Sequence, residues 1–212
     1  MNEYPVSKNY IIMKGDMFLR PTNGPNGMNE STEIFRYSKP PLIVHETPLQ
    51  IIENSCKCYG ETYQSRKNQT RRISNLKSKL PINITPIFPS FYFPTHSDRT
   101  SENAWVNMHF IEQIKKLQGA RVKIIFVNRQ SVIVNASEHT MSTQYRNCIT
   151  FSYHLDRKAK ALTSNPDKPI DYNKDNFNIY ETLSRYAILE KQREDYTRAP
   201  DPSKPFPNLP EV

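Results

Sequence analysis

Between residues 56 and 79 the chain places Lys57, Arg66, Lys67, Arg71, Arg72, Lys77 and Lys79, seven cations against a single carboxylate, Glu61. Interleaved with them are Tyr59, Tyr63, Asn68, Gln69, Thr70 and Ser74. Cations neutralise phosphates and release their condensed counterions, while short polar side chains hydrogen-bond phosphate, sugar or base edges. That is the chemistry of nucleic-acid recognition. The charge is also localised: of a net +8, residues 56–79 carry +6, residues 1–55 carry −1 and the remainder +3. A solvated basic surface with no ligand has the same composition, so the placement of the cations matters more than their number.

Other chemistry finds little support. Cys56-Lys57-Cys58 lies in a helical pattern, where neighbours two apart point to different sides and cannot share a zinc ion, so Cys56 reads as a core thiol. Cys148 and the five histidines (His45, His96, His109, His139, His154) have no metal-ligand spacing, and neither a metal nor a cofactor is expected. The five glycines are scattered, which removes the dinucleotide and phosphate-loop motifs. A magnesium-dependent nuclease needs clustered carboxylates, and the patch has only Glu61. Nothing in the sequence favours a Cys/His nucleophile, so the expectation is binding without catalysis. Apolar runs such as residues 124–127 fall far short of the ~20 residues of a membrane span. The N-terminus lacks a secretory pattern and the cysteine count is odd, which together suggest a cytoplasmic location.

The elements that must position the patch begin with strands at 10–13, 17–19, 33–37 and 42–44, with the Asn-Gly-Pro-Asn-Gly turn of residues 23–27 between the second and third. The G-x-x-G inside that turn has the form of a KH-domain loop, but its flanks alternate like strands, and a surface turn accounts for it. Residues 47–60 are the strongest helix signal. Thr47 caps, Pro48 occupies the first turn, Gln50 completes a capping box, Leu49, Ile52, Cys56 and Tyr59 share a face, and Gly60 ends it. Short strands broken by prolines follow over 80–95. Then come an alternating stretch over 105–111, a hairpin over 121–135 and a helix over 137–162. Residues 163–176 read as a linker and 177–195 as a last helix. Pro200, Pro202, Pro205, Pro207 and Pro210 mark a weakly ordered tail.

The fold expected is α+β, mostly antiparallel strands packed against two or three helices. Residues 1–162 form the binding domain, 163–199 a linker and C-terminal helix, and 200–212 the Pro-rich tail. Arg66, Lys67, Arg71 and Arg72 directly follow the capped helix, so a rigid element positions them. As long exposed cations, Arg66 and Lys67 should tolerate replacement by Ala with a stability change within about 0.5 kcal/mol. Tyr59 is expected in the core and Trp105 as a packing anchor, while Tyr63 is open to packing or to base stacking.

Residues 48–70, PLQIIENSCKCYGETYQSRKNQT, closely resemble the matching segment of ComK, the competence transcription factor family of low-GC Gram-positive bacteria. The shared features are Pro48-Leu49-Gln50, Ser55-Cys56, Tyr59-Gly60, Tyr63 and Arg66-Lys67-x-x-Thr70. The likeness continues more loosely through Pro81-Ile82, residues 91–95, Trp105 and the 121–135 hairpin, covering roughly residues 40–155. The resemblance implies an activator of competence genes that binds AT-rich boxes of double-stranded DNA, largely through the minor groove, as homodimers that pair on a promoter. It also implies nucleoid association and delivery to a Clp protease by an adaptor, for which residues 177–180 only loosely match the family's apolar-aromatic motif.

The DNA-binding residues expected are therefore Lys57, Tyr63, Arg66, Lys67, Asn68, Thr70, Arg71, Arg72, Lys77 and Lys79. An RNA- or single-strand-binding module is the alternative function, and a basic patch that meets an acidic protein partner is a second.

Overall fold

The computed structural model describes residues 9–24, 29–88 and 90–163. Among these residues nine strands and three α-helices follow one another in the order β1 (Asp16–Thr22), β2 (Ser31–Arg36), β3 (Leu42–Val44), α1 (Pro48–Cys58), α2 (Tyr63–Ser74), β4 (Ile82–Asn83), β5 (Phe91–Pro94), β6 (Trp105–Asn107), β7 (Ile111–Lys116), β8 (Val122–Phe126), β9 (Ser131–Val134) and α3 (Glu138–Thr163). The strands make two antiparallel sheets, one of six strands in the order β3-β2-β1-β6-β5-β4 and one of three in the order β7-β8-β9. The α+β architecture is the one expected.

The six-stranded sheet is buried on both faces, and the period-2 alternation of its strands shows how. Leu19, Ile34, Tyr92 and Trp105 join Ile51, Ile52 and Cys56 of α1 in one apolar cluster. Their immediate neighbours Phe18, Phe35, Phe93 and Val106 turn the other way, into a second cluster with Val122, Ile124, Phe126, Met141 and Cys148 from the small sheet and α3. The large sheet is thus the middle layer, with α1 and α2 on one side and the small sheet and the first turns of α3 on the other, while the last turns of α3, around Leu155 and Lys158, reach α2.

α1 forms as its sequence dictates. Thr47 Oγ1 accepts from Gln50 N, and Gln50 Oε1 accepts from Thr47 N, completing the capping box. Gly60 adopts φ +84° beyond the helix end, the left-handed conformation that favours glycine. Ile51 adds to the expected apolar face, and Cys56 is a core thiol whose burial pushes its pKa up to about 11. Tyr59 is half-buried, and its hydroxyl donates to Ile12 O (3.0 Å).

Three expectations need correction. Residues 10–13 are not a strand. Their backbone is satisfied by side chains instead: Tyr10 N donates to Glu46 Oε2 (2.7 Å), Ile12 N to Ser55 Oγ (2.9 Å) and Met13 N to Asp16 Oδ2 (2.7 Å). The segment straps α1 to the sheet with Ile12 fully buried. The alternation over 105–111 is a strand only as far as Asn107; a 3-10 turn over Met108–Phe110 then redirects the chain into β7, which extends to Lys116. Finally, residues 63–74 are helical, where no helix was expected. Residues 25–27 of the Asn-Gly turn, the 163–176 linker beyond Thr163, the 177–195 helix and the Pro-rich tail lie outside the described residues.

Asp16 begins β1 and is almost fully buried. Its Oδ2 accepts from Tyr10 Oη (2.9 Å) and Met13 N, and its carbonyl accepts from Tyr92 Oη (2.7 Å) and Asn107 Nδ2 (3.1 Å). Burial outweighs those hydrogen bonds and pushes the carboxyl pKa up to about 6.

Candidate nucleic-acid interface

α2 carries most of the basic patch, yet its sequence, YQSRKNQTRRIS, has almost nothing apolar. Its ends are defined by capping. Thr62 Oγ1 accepts from Ser65 N (3.1 Å), and Asn75 closes the helix at φ +53°, a left-handed conformation Asn tolerates. The inward face is Tyr63, Arg66, Thr70 and Ile73, spaced three and four apart. Tyr63 packs edge-on against Trp105 (ring centroids 6.0 Å apart), which is itself fully buried as the expected anchor. Thr70 Oγ1 donates to Pro81 O (2.6 Å) and ties the helix to the approach to β4.

This face overturns part of the expected exposure. Arg66 is 8% exposed and its Nε has no hydrogen-bond partner among the described residues, while Thr70 is 0% exposed. Lys67 is also held: its Nζ donates to Asp98 Oδ2 (2.7 Å) and lies 4.9 Å from the centroid of the Tyr63 ring. Tyr63 Oη donates to the same carboxylate oxygen (2.8 Å), and burial, reinforced by Asp98, pushes its pKa upward. Asp98 thus ties the first two turns of α2 to the loop between β5 and β6. The expectation that Arg66 and Lys67 are long exposed cations is corrected: Arg66 is buried and Lys67 half-buried, because a helix poor in apolar residues covers its inner face with the stems of the long side chains placed there.

The outward face is different. Gln64, Asn68, Arg71 and Asn75 are exposed and spaced four, three and four apart. Gln64 Nε2 and Arg71 Nη1 both donate to Asn68 Oδ1 (3.0 and 2.9 Å), so the amide orients the guanidinium. Arg72 is exposed beside this stripe and borders a groove of about 620 Å³ between α2 and α3, together with Asn68, Gln69, Leu155 and Lys158. No residue of α2 is acidic. Of the remaining expected contacts, Lys57 is exposed on the last turn of α1, and Lys77 and half-buried Lys79 sit on the connection to β4. The structure therefore gathers Asn68, Arg71 and Arg72 on one helix and turns Tyr63, Arg66 and Thr70 inward. Lys158 across the groove was missed, because only the packing of α3 on α2 brings it there.

Among the described residues no three His, Cys, Asp or Glu side chains are grouped to hold a metal ion, and no helix is long and apolar enough to cross a membrane.

Comparison with known proteins points to the family that the sequence resembles. The chain is 27% identical over 101 residues to a competence transcription factor of Bacillus subtilis (strain 168), an alignment covering 48% of this chain and 53% of that protein. The chain thus spans about half the length of the curated relative it matches. No solved structure matches it significantly. The ComK protein family matches residues 7–160, most of the chain and nearly all of the described fold, and the protein belongs to that family.

Proposed function

We propose that this protein is a sequence-selective, double-stranded-DNA-binding transcription activator of competence genes, and that the outward face of α2 is its principal contact. The observation that carries this reading is the acid-free stripe of Gln64, Asn68 and Arg71, flanked by Arg72, on a helix fixed at both ends and along its inner face. A guanidinium held by an amide offers charge and directional donors together, the combination that contacts phosphate oxygens and base edges. Family membership and the name of the Bacillus subtilis relative favour the same class. AT-rich boxes read through the minor groove, pairing of homodimers on a promoter, nucleoid association and adaptor-delivered proteolysis are the finer parts of the proposal. The adaptor motif at residues 177–180 lies outside the described residues.

A single-strand or RNA reading needs aromatic faces open to bases. Tyr63 was the candidate, but its ring is packed on Trp105, overlain by Lys67 and anchored through its hydroxyl. Duplex binding through a charged helix face needs no such platform. The test is competition at fixed salt between an AT-rich duplex, a GC-rich duplex and single-stranded RNA of equal length, with a footprint on a competence promoter. Preference for the AT-rich duplex with protection of spaced A/T runs is the expected result. Equal affinity for all three would leave only a non-specific basic protein.

A further inference from the structure

The residues outside 56–79 carry a second cluster of charge that the linear count dilutes. From Gln113 to Asn128 the chain has four cations, Lys115, Lys116, Arg121 and Lys123, and no carboxylate. Folding places all four on the β7–β8 hairpin. Ladder register sets Lys115 directly opposite Lys123. Both alternate with residues committed to the core, since Val122 and Ile124 are fully buried on the inner face. Gln113, Ile125, Ser131 and Ile133 share the outer face with the two lysines, so no negative charge is paired with them there. Like charges directly opposite on a ladder repel, and a sheet face that keeps such a pair with no carboxylate to offset it is matched to an anion from outside.

The tip is built to project. Leu117 N donates to Arg121 O (3.0 Å), Gly119 turns at φ +73° with none of the described residues within 4 Å of where a side chain would sit, and Arg121 Nε donates to Gln118 O (3.3 Å). None of the four cations forms a salt bridge among the described residues, whereas Arg129, nearer the base of the hairpin, is paired with Glu112. The inner face of the hairpin packs through Ile111, Val122, Ile124 and Phe126 into the cluster shared with α3. These cations therefore sit on a rigid element, separate from α2.

We propose that the β7–β8 hairpin is a second DNA contact, in which Lys115, Lys123 and Arg121 meet sugar-phosphate backbone flanking the segment engaged by α2. This rests on the DNA-binding reading above. Its role is to add affinity and footprint length without reading bases, because point-charge lysines on a sheet face contact phosphates rather than base edges.

The test compares the full chain with Lys115→Gln/Lys123→Gln and with a control of equal charge change, Lys14→Gln/Lys39→Gln. Each binds AT-rich duplexes of about one and about three helical turns, across a salt titration. Thermal unfolding of the hairpin variant should be unchanged or raised, since a repulsive pair is removed. On the long duplex the log-log salt slope should fall by about 1.8, with affinity down roughly five- to tenfold per lost contact near 0.1 M salt. On the short duplex the variant should match the wild type, and the control should keep the wild-type slope on both. A hairpin variant with the wild-type slope and affinity on the long duplex overturns the second contact and leaves DNA binding by α2 standing. An equal loss in the control also overturns it, because net charge alone would then be responsible. A wild-type chain that binds neither duplex overturns the DNA reading and this inference with it.

Discussion

α1 and α2 are consecutive helices of similar length packed on the same sheet, and they are held there by opposite means. α1 presents Ile51, Ile52 and Cys56 to the core and its capping box fixes the start. α2 presents Tyr63, Arg66 and Thr70, of which one is charged and two carry hydroxyls, and depends on Thr62, Asn75, the Asp98 anchor and the bond from Thr70 to Pro81. A helix with little apolar surface can still be immobilised when its ends are capped and the stems of its long side chains are buried. Its remaining cations, Arg71 and Arg72, stay exposed. The consequence is a division of labour within one basic segment: Arg66 and Lys67 position the helix, and Arg71 and Arg72 are presented by it.

The largest effect that distinguishes the two helices should come from Ile52→Ala. Ile52 is fully buried in the cluster beneath α1, and the truncation should cost about 2–5 kcal/mol in chemical unfolding. No single truncation on α2 should exceed about 2 kcal/mol. A loss below about 1 kcal/mol would mean that α1 is not anchored through its apolar face.

Asp16 tests the strap that braces α1. Its carboxyl has a folded pKa of about 6 against an ordinary 3.8, so between those values the folded state holds the proton that the unfolded state has lost. Stability from this group is complete below the ordinary pKa and falls as pH rises through about 6, leaving a penalty at neutral pH. Asp16→Asn retains an acceptor for Tyr10 and Met13 and cannot ionise. Relative to the wild type it should gain on the order of 2 kcal/mol between pH 4 and pH 7. A difference independent of pH would remove the buried ionisation from the account.

On α2 the paired substitutions Arg66→Ala and Arg66→Met sharpen the contrast. Ala removes the packed stem and should cost about 1–2 kcal/mol; Met keeps the stem and removes a buried charge whose Nε is unpartnered, so it should be neutral or stabilising. Neither should change the salt slope of DNA binding. A slope lowered by about 0.9 in both would make Arg66 a phosphate contact rather than a positioning residue. Thr62→Ala, which removes the cap, should cost about 1 kcal/mol and lower DNA affinity only through folding, a point checked by adding enough stabilising osmolyte to restore the folded fraction.

What was legible in the sequence follows the same line as the physics. α1, the hairpin of β8 and β9, and α3 announce themselves through periodic apolar residues, and Trp105 as a packing anchor is legible from its alternation. α2 is not, because only Tyr63 and Ile73 are apolar on its inner face; the available signals were Thr62 just past Gly60, a run of 12 residues without Pro or Gly, and Asn75 at its end. The identity of the basic segment was readable from charge, but not which cations point inward. That depends on Trp105, Asp98 and Pro81, partners 42, 31 and 11 residues away in the chain for Tyr63, Lys67 and Thr70. The strap at residues 10–13 has a strand's composition and fails to pair because Ser55, Glu46 and Asp16 satisfy its backbone first. The lysine pair on β7 and β8 emerges only when register sets Lys115 against Lys123.

The central claim, that the outward face of α2 contacts DNA, is tested most directly by the salt dependence of duplex affinity in Arg71→Gln/Arg72→Gln. Both residues are exposed and neither forms a salt bridge among the described residues, so stability should move by no more than about 0.5 kcal/mol. The account predicts a log-log slope lower by about 1.8 than that of the wild type on an AT-rich duplex, with the fold intact. An unchanged slope and affinity in the folded variant would contradict it.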